Sequence, residues 1–479
     1  MSVARRIAKN TTLLLIASII SYLLGFFTTI YSARYLGAGE FGVLSLALAL
    51  TGIFGVITDL GLGTLTVREV ARDKSLKDKY FFNTLIMKVL LSFLTMGLMV
   101  VTVNIIGYPQ TIATVIYIIT GSVLIGSFSS VFSSIFQAYE KMEYLSLSTV
   151  LNSILLFAGV LLAIHYKMDI IVFAILYFII SLFILVYSVS VYKLNFSFSE
   201  LKIDWSFWEP TMKEALPFGV AAVFVTVFYW IDSIMLSVMV NNEVVGWYNA
   251  AYKLIFVFLS FYAVYITSIF PVMAGFFKTS KTSLKFAYER SFKYMIIISV
   301  PLAVGTTLLA DKIILFIYGT DYLPAIVVLQ VLVWTVVFMF LNGVSGNLLG
   351  SINKQPSVTK ILAIGVTLNI VLNLILIPKF SYVGSAAATV VTELVILPFY
   401  LYILLKTEYA EINNLLKDIP KILFSNLVMV VVIIFLRDVN LILLIFFSAL
   451  VYFATIYLTK SFDEHDLDIF RGLVRRKNG

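Results

Sequence analysis

ARRIAKNTTLLLIASIISYLLGFFTTI, residues 4–30, sets Arg5, Arg6 and Lys9 ahead of an apolar run that continues to Ile30. A signal-peptide core is only about 7–15 residues long, so this run reads as a retained first membrane helix. The pattern then repeats. Charged or Gly/Pro breaks separate apolar blocks at 10–35, 41–66, 80–107, 110–138, 144–165, 169–192, 214–240, 244–275, 288–310, 324–350, 357–378, 382–406, 418–436 and 440–459. A helix needs about 20 apolar residues to cross the hydrocarbon core, so these blocks predict an all-α membrane protein of about fourteen transmembrane helices.

Composition agrees. The chain is 61% hydrophobic and 13% charged, against about 45–50% and about 25% in soluble domains. Little is left for a separate globular domain with an active site. There is no cysteine, which excludes disulfides, thiolate metal sites and a cysteine nucleophile. His165 and His465 sit at segment ends and read as interfacial or tail residues. No Walker A pattern and no HExxH occurs. The external loops are too short for a membrane glycosyltransferase. The expectation is a protein with no catalytic residue, no metal and no cofactor.

Basic residues fix the expected orientation. Of the 34 lysines and arginines, 27 fall in alternate loops that share the N-terminal side. The opposite side holds only Arg34, Lys167, Lys312, Lys379 and Arg437, and Lys88 and Lys253 fall inside helices. Positive residues favour the cytoplasmic side, so both termini are expected there. The net charge of +8 needs no nucleic acid, because these loops face anionic lipid.

The segment 193–213 mixes lysines with Phe196, Phe198, Trp205, Phe207 and Trp208, and reads as an amphipathic cytoplasmic connector lying in the interface. It divides the chain into an N-terminal lobe (1–192, helices one to six) and a C-terminal lobe (214–406, helices seven to twelve). Two further helices and a basic cytoplasmic tail follow (407–479). The hairpin Leu36-Gly37-Ala38-Gly39-Glu40-Phe41-Gly42-Val43-Leu44 recurs as Val240-Asn241-Asn242-Glu243-Val244-Val245-Gly246-Trp247-Tyr248 at the same place in the second half. Two six-helix halves of one rhythm suggest parallel repeats around a central cavity, as in secondary transporters.

An ordered set of local motifs carries a family resemblance. It comprises Ala33-Arg34-Tyr35-Leu36-Gly37 with Phe41-Gly42, Asp59-Leu60-Gly61, Asp232 with Leu236, and Val245-Gly246-Trp247-Tyr248-Asn249-Ala250-Ala251-Tyr252-Lys253-Leu254. Phe270-Pro271, Tyr318-Gly319-Thr320-Asp321-Tyr322-Leu323-Pro324-Ala325, Leu368-Asn369 with Leu372-Asn373, Ile377-Pro378 and Val383-Gly384-Ser385-Ala386-Ala387-Ala388-Thr389 complete it. In this order they resemble the polysaccharide, or lipid-linked oligosaccharide, flippases of the multidrug/oligosaccharidyl-lipid/polysaccharide exporter superfamily. The resemblance implies a V-shaped bundle of two six-helix lobes that moves a polyprenyl-diphosphate-linked glycan across the cell membrane by alternating access. Its implied partners are that glycan lipid, membrane lipids, H+ or Na+ as a coupling ion, and glycan-assembly enzymes. The lipid II flippase branch looks arginine-rich along its first helix, whereas Tyr22-Leu23-Leu24-Gly25-Phe26-Phe27 carries no charge. The polysaccharide branch is therefore favoured over lipid II-type flippases, and a multidrug or toxin antiporter of the superfamily is the other alternative.

An ionisable side chain in a membrane helix costs at least ~2.5–3.5 kcal/mol, so each one invites a functional reading. Lys253, Arg34 and Lys88 are the candidates to hold a diphosphate; Asp232, Glu393 and Asp59 are those for ion coupling or charge pairing. Asp232 and Lys253 each lie about ten residues from the external hairpin, so they either fix the register of helices seven and eight or serve cargo and ion. Lys88 either faces inward or snorkels to the headgroups. Arg34 either meets cargo or complements a helix C-terminus. Glu393, the deepest carboxyl, is either a cavity site or a protonated, hydrogen-bonded group. Asp59, near the inner end of helix two, suits a capping or interfacial role better than transport. Asn369 and Asn373 share a helical face at i, i+4 and suit interhelical hydrogen bonding.

Overall fold

The computed structural model describes residues 3–197, 202–462 and 466. The described residues are helical because a backbone in lipid must satisfy every N–H and C=O within its own segment. In order come α1 (Val3–Gly55), α2 (Leu62–Arg72), α3 (Lys77–Ile106), α4 (Gln110–Ala138), α5 (Met142–His165), α6 (Ile170–Asn195), α7 (Trp205–Met239) and α8 (Asn242–Thr279). Then follow α9 (Lys281–Ile317), α10 (Ala325–Leu332), α11 (Trp334–Ser351), α12 (Gln355–Leu405), α13 (Ile412–Leu416), α14 (Ile419–Phe435) and α15 (Leu441–Leu458).

Twelve helical stretches among the described residues are long and apolar enough to span a membrane. Two of them are double. α1 leaves helical geometry at Gly37 (φ 68°, ψ 174°) and α12 at Ser381 (φ 51°, ψ −133°), so each is a pair of spans, which recovers the expected fourteen. The outward faces carry large apolar side chains such as Phe93 (74% exposed), Ile105 (79%) and Phe435 (84%). Such faces need lipid rather than water, and the chain is a multi-pass membrane protein.

The expected second helix, 41–66, is not continuous. After α1 a tight turn covers Val56–Thr58, Leu60 and Gly61 take positive φ (41° and 87°), and α2 starts at Leu62. Polar chemistry explains the break: the Asp59 carboxylate accepts hydrogen bonds from the Gly61 and Gly63 N–H groups, each at 3.1 Å, in place of intrahelical carbonyls. Gly61 is required twice over, since its φ suits glycine and a Cβ there would strike the Ala215 carbonyl and sit 2.8 Å from the Gly219 nitrogen.

The residues form two compact units, Met1–Lys253 with Val366–Ser385, and Leu254–Gly365 with Ala386–Gly479. In the first, α1 packs on α4, α5 and α7, α4 packs on α3 and α6, and α2 packs on α4 and α7. An aromatic cluster ties α3, α4 and α6 together, with Phe81 stacked on Tyr192 at 4.7 Å and Phe132 edge-on to Tyr192 at 5.5 Å. The two hairpins that read as repeats meet within this unit. A Cβ on Gly42 would strike the Asn242 carbonyl, and one on Gly246 would strike the Ala38 carbonyl. In the repeat alignment Gly42 corresponds to Gly246 and Ala38 to Asn242, so the contact is reciprocal, as across a two-fold axis.

The 193–213 segment lies inside the first unit, and α7 begins within it at Trp205. Fully buried Asn83 of α3 holds it: its Oδ1 accepts from the Asp204 N–H and from Trp208 Nε1, both at 2.9 Å, and its Nδ2 donates to the Lys202 carbonyl at 3.2 Å. The Lys79 ammonium, 2.8 Å from Asp204, together with Ser206 holds the Asp204 carboxyl down at about 2. Tyr80 packs edge-on to Phe207 at 4.7 Å, while Trp205 stays exposed. Phe198 and Ser199 lie outside the described residues.

In the second unit α9 packs against α10, α11, α14 and α15. Tyr452 of α15 donates to the Ile297 carbonyl at 2.7 Å. Beyond α15, the buried Asp466 carboxylate accepts from Arg290 Nη1 (2.8 Å), Lys293 Nζ (2.8 Å) and Tyr294 OH (2.5 Å), and Lys293 also lies 3.4 Å from Asp418. His165 closes α5 beside Tyr166. His465 lies outside the described residues.

Candidate functional site

Lys88 does not snorkel. It is 1% exposed in α3, and its Nζ lies 2.6 Å from Asp59 Oδ1 and donates to Ser130 Oγ of α4 at 2.5 Å. The helix break at 59–61 delivers a carboxylate to the point where Lys88 emerges, so the ammonium is neutralised inside the bundle and need not reach the headgroups. Asp59 thus both caps α2 and pairs with Lys88.

Asp232 sits in α7 at 3% exposure. Tyr248 OH of α8 donates to its Oδ2 at 2.6 Å and Asn373 Nδ2 of α12 donates to its Oδ1 at 2.7 Å. Asn373 Nδ2 also reaches Asn369 Oδ1 at 3.0 Å, as the i, i+4 spacing allows, and one residue on from the Tyr248 and Asp232 pair Asn249 Nδ2 donates to Ser233 Oγ at 2.9 Å. Both carboxylate oxygens therefore accept from neutral donors, and Asn373 Oδ1 is buried without a hydrogen bond. Carboxylate and amide oxygens in one place are the donor set of a hard cation or a proton.

Lys253 is half-buried in α8, with its ammonium 5.4 Å from the centre of the Trp230 ring. Trp230 is wedged in turn against α1, where a Cβ on Gly52 would lie 2.8 Å from its Nε1. A cation beside an indole face, partly open, can hold a phosphate on one group and a sugar ring on the other. Arg34 is exposed just before the Gly37 kink.

Glu393 lies in the second unit, 4% exposed. Asn342 Nδ2 of α11 donates to its Oε2 at 2.6 Å and to its backbone carbonyl at 2.9 Å. Both contacts come from the neighbouring helix α11. Among the described residues no group of three or more His, Cys, Asp or Glu side chains could hold a metal ion.

Sequence reading singled out the charges but missed Tyr248, Trp230, Ser130 and Asn342. An uncharged tyrosine, tryptophan, serine or asparagine in an apolar helix carries no signal of its own. The one usable clue was spacing, since Tyr248 stands 16 residues after Asp232 across a short turn.

A model of the family described as polysaccharide biosynthesis protein matches residues 7–277. The uncharacterized membrane protein MJ1068 of Methanocaldococcus jannaschii is 28% identical over 246 residues, which is 50% of this chain and 48% of that protein, so the match spans about half of that relative. The probable low-salt glycan biosynthesis flippase Agl15 of Haloferax volcanii is 22% identical over 421 residues, covering 85% of this chain and 86% of that protein. Among solved structures, the lipid II flippase MurJ in an inward closed conformation superposes with a TM-score of 0.75 at 18% identity, over 94% of this chain and 98% of that one. At that identity the likeness establishes the fold.

Proposed function

The chain belongs to the polysaccharide biosynthesis protein family, and from that premise we propose that it is a secondary transporter that flips a polyprenyl-diphosphate-linked oligosaccharide across the cell membrane by alternating access. Transport rather than catalysis is the reading. The observation that carries it is Lys253 over Trp230: a half-buried ammonium on an aromatic face, about ten residues deep in α8. A diphosphate gains charge-assisted hydrogen bonds, and the indole offers a stacking face to the adjoining sugar.

In this proposal both termini and the 193–213 connector are cytoplasmic, and two lobes, 1–192 and 214–406, move the cargo between them. Lys253 receives the diphosphate, with Arg34 near the exit. Lys88, paired with Asp59, supports the inner end of the path. Asp232 takes the coupling cation, Na+ or H+, among its neutral donors, and Glu393 is the second protonatable group. The connector's exposed face offers a contact for glycan-assembly enzymes. The proposal is tested in proteoliposomes loaded with a fluorescent polyprenyl-diphosphate oligosaccharide, by its accessibility to a membrane-impermeant quencher. Protein-dependent flipping is expected, and flipping of the monophosphate analogue at the same rate would remove the role of the diphosphate.

A further inference from the structure

Glu393 sits twelve residues past the Ser381 kink of α12 and twelve before Leu405, about 18 Å from either end at ~1.5 Å per residue. It is 4% exposed, and no lysine, arginine or histidine pairs with it among the described residues. A buried carboxylate without a counter-ion costs far more than the neutral acid. The local hydrogen bonds point the same way. Asn342 Nδ2 donates to Oε2 at 2.6 Å and to the Glu393 backbone carbonyl at 2.9 Å. Because that carbonyl can only accept, the amide cannot be turned round. Asn342 Oδ1 is thereby left buried with no hydrogen bond. Among the described residues no donor reaches Glu393 Oε1 either. One amide oxygen lacks a donor, and beside it one carboxyl oxygen is open to carry a hydrogen.

We propose that Glu393 is the proton-binding site of the second unit: it holds one exchangeable proton on Oε1, as a neutral acid that donates to Asn342 Oδ1. Acid and amide then share two hydrogen bonds, one in each direction, which join α12 to α11 and leave neither oxygen unsatisfied. The proposal deepens the reading of Glu393 as a protonatable group and rests on it. Asp232 of the first unit differs, because Tyr248 and Asn373 already donate to its two oxygens.

A metal cation fits Glu393 less well. Hard cations such as Ca2+ take about 6–8 oxygen ligands, whereas Asn342 turns its amino group to this carboxyl. The helix α11 (Trp334–Ser351) carries no ionisable residue, and the titratable groups set around it near Asn342 are phenols. Tyr288 OH of α9 lies 3.0 Å from Ser345 Oγ, Tyr400 of α12 runs along Gly346, and Tyr262 of α8 meets Gly343. Phenols titrate near ~10, so among these groups Glu393 is the one that can exchange a proton at physiological pH. Its residual exposure gives that proton a way in and out.

Infrared difference spectroscopy on the full chain in lipid tests this, because a protonated carboxyl has a C=O stretch apart from the carboxylate bands. At neutral pH the parent should show one such band that Glu393→Gln removes. Asn342→Ala takes away the amide donor and should shift the band to higher wavenumber without abolishing it. Alkaline buffer should bleach the band reversibly, and Na+ at constant pH should leave it unchanged. Should Glu393→Gln fail to accumulate, the shift in Asn342→Ala assigns the band, since Glu393 is the carboxyl that this amide bonds. A parent without the band, or a band indifferent to both substitutions, overturns the proton. A band that Na+ bleaches makes Glu393 a metal-cation site, and one that no alkaline buffer bleaches makes the acid a fixed part of the core; either overturns the proposal. The spectrum needs no cargo. A protein that shows the band but moves no lipid-linked glycan would refute the transport reading and leave the proton site standing.

Discussion

Lys88 and Asp59 form an ion pair of unequal burial: the ammonium is 1% exposed and the carboxylate 38%, at 2.6 Å. The burial decides which partner suffers when the pair is broken. Asp59→Ala strands a cation inside the bundle and also removes the acceptor for Gly61 and Gly63, so a loss of about 3–5 kcal/mol is expected. Lys88→Ala leaves a carboxylate that keeps its two amide donors and partial exposure, and should cost clearly less. Thermal unfolding in detergent measures both. Equal losses would show that the difference in burial has no energetic weight.

Lys253→Ala should abolish flipping while expression and melting temperature stay near the parent's, because a neutral side chain cannot replace charge-assisted bonds to a diphosphate. Lys253→Arg should retain part of the activity. Full transport by the alanine variant would reduce Lys253 to an architectural role.

Tyr248→Phe removes one donor to the Asp232 carboxylate and should cost about 1.5–3 kcal/mol, the range for hydrogen bonds to charged groups. Asp232→Ala should cost more. The double variant should fall short of the sum, because the residues share one bond.

Asn83→Ala should release the connector, since one buried side chain holds Lys202, Asp204 and Trp208. Limited proteolysis of inverted vesicles should then cut between α6 and α7 several times faster, with the apolar helices untouched. An unchanged cutting rate would show that the ring contacts alone secure the segment.

Cysteines introduced at Ser2, Ser199 and Asn478 should resist a membrane-impermeant thiol reagent in intact cells and react in inverted vesicles, as the basic loops require. Labelling of Ser199→Cys from outside would invert the proposed orientation.

The helices were legible because hydropathy is a sum over twenty residues, which no single substitution hides. The break at Asp59-Leu60-Gly61 was not, because it rests on one carboxylate bonded to two nearby amides inside an otherwise apolar block. Likewise the Asp59 and Lys88 pair joins positions with no periodic relation, and only the fold brings them together. Asn369 and Asn373 were readable as a polar face. That Asn373 serves Asp232 requires the position of α7. The repeat was weak in identity, and its reciprocal contact at Gly42 and Gly246 lies in the backbone, where sequence comparison registers only an absent side chain.

The clasp on Asp466 bears on how the protein is handled once outside the cell. Arg290, Lys293 and Tyr294 converge on that one carboxylate, which belongs to the stretch beyond α15. A chain trimmed before residue 466 loses the anion and keeps the cations. Anionic headgroups would then be recruited in its place, so a trimmed protein should demand acidic lipid during purification that the untrimmed chain does not. Affinity tags should accordingly leave residue 466 in place.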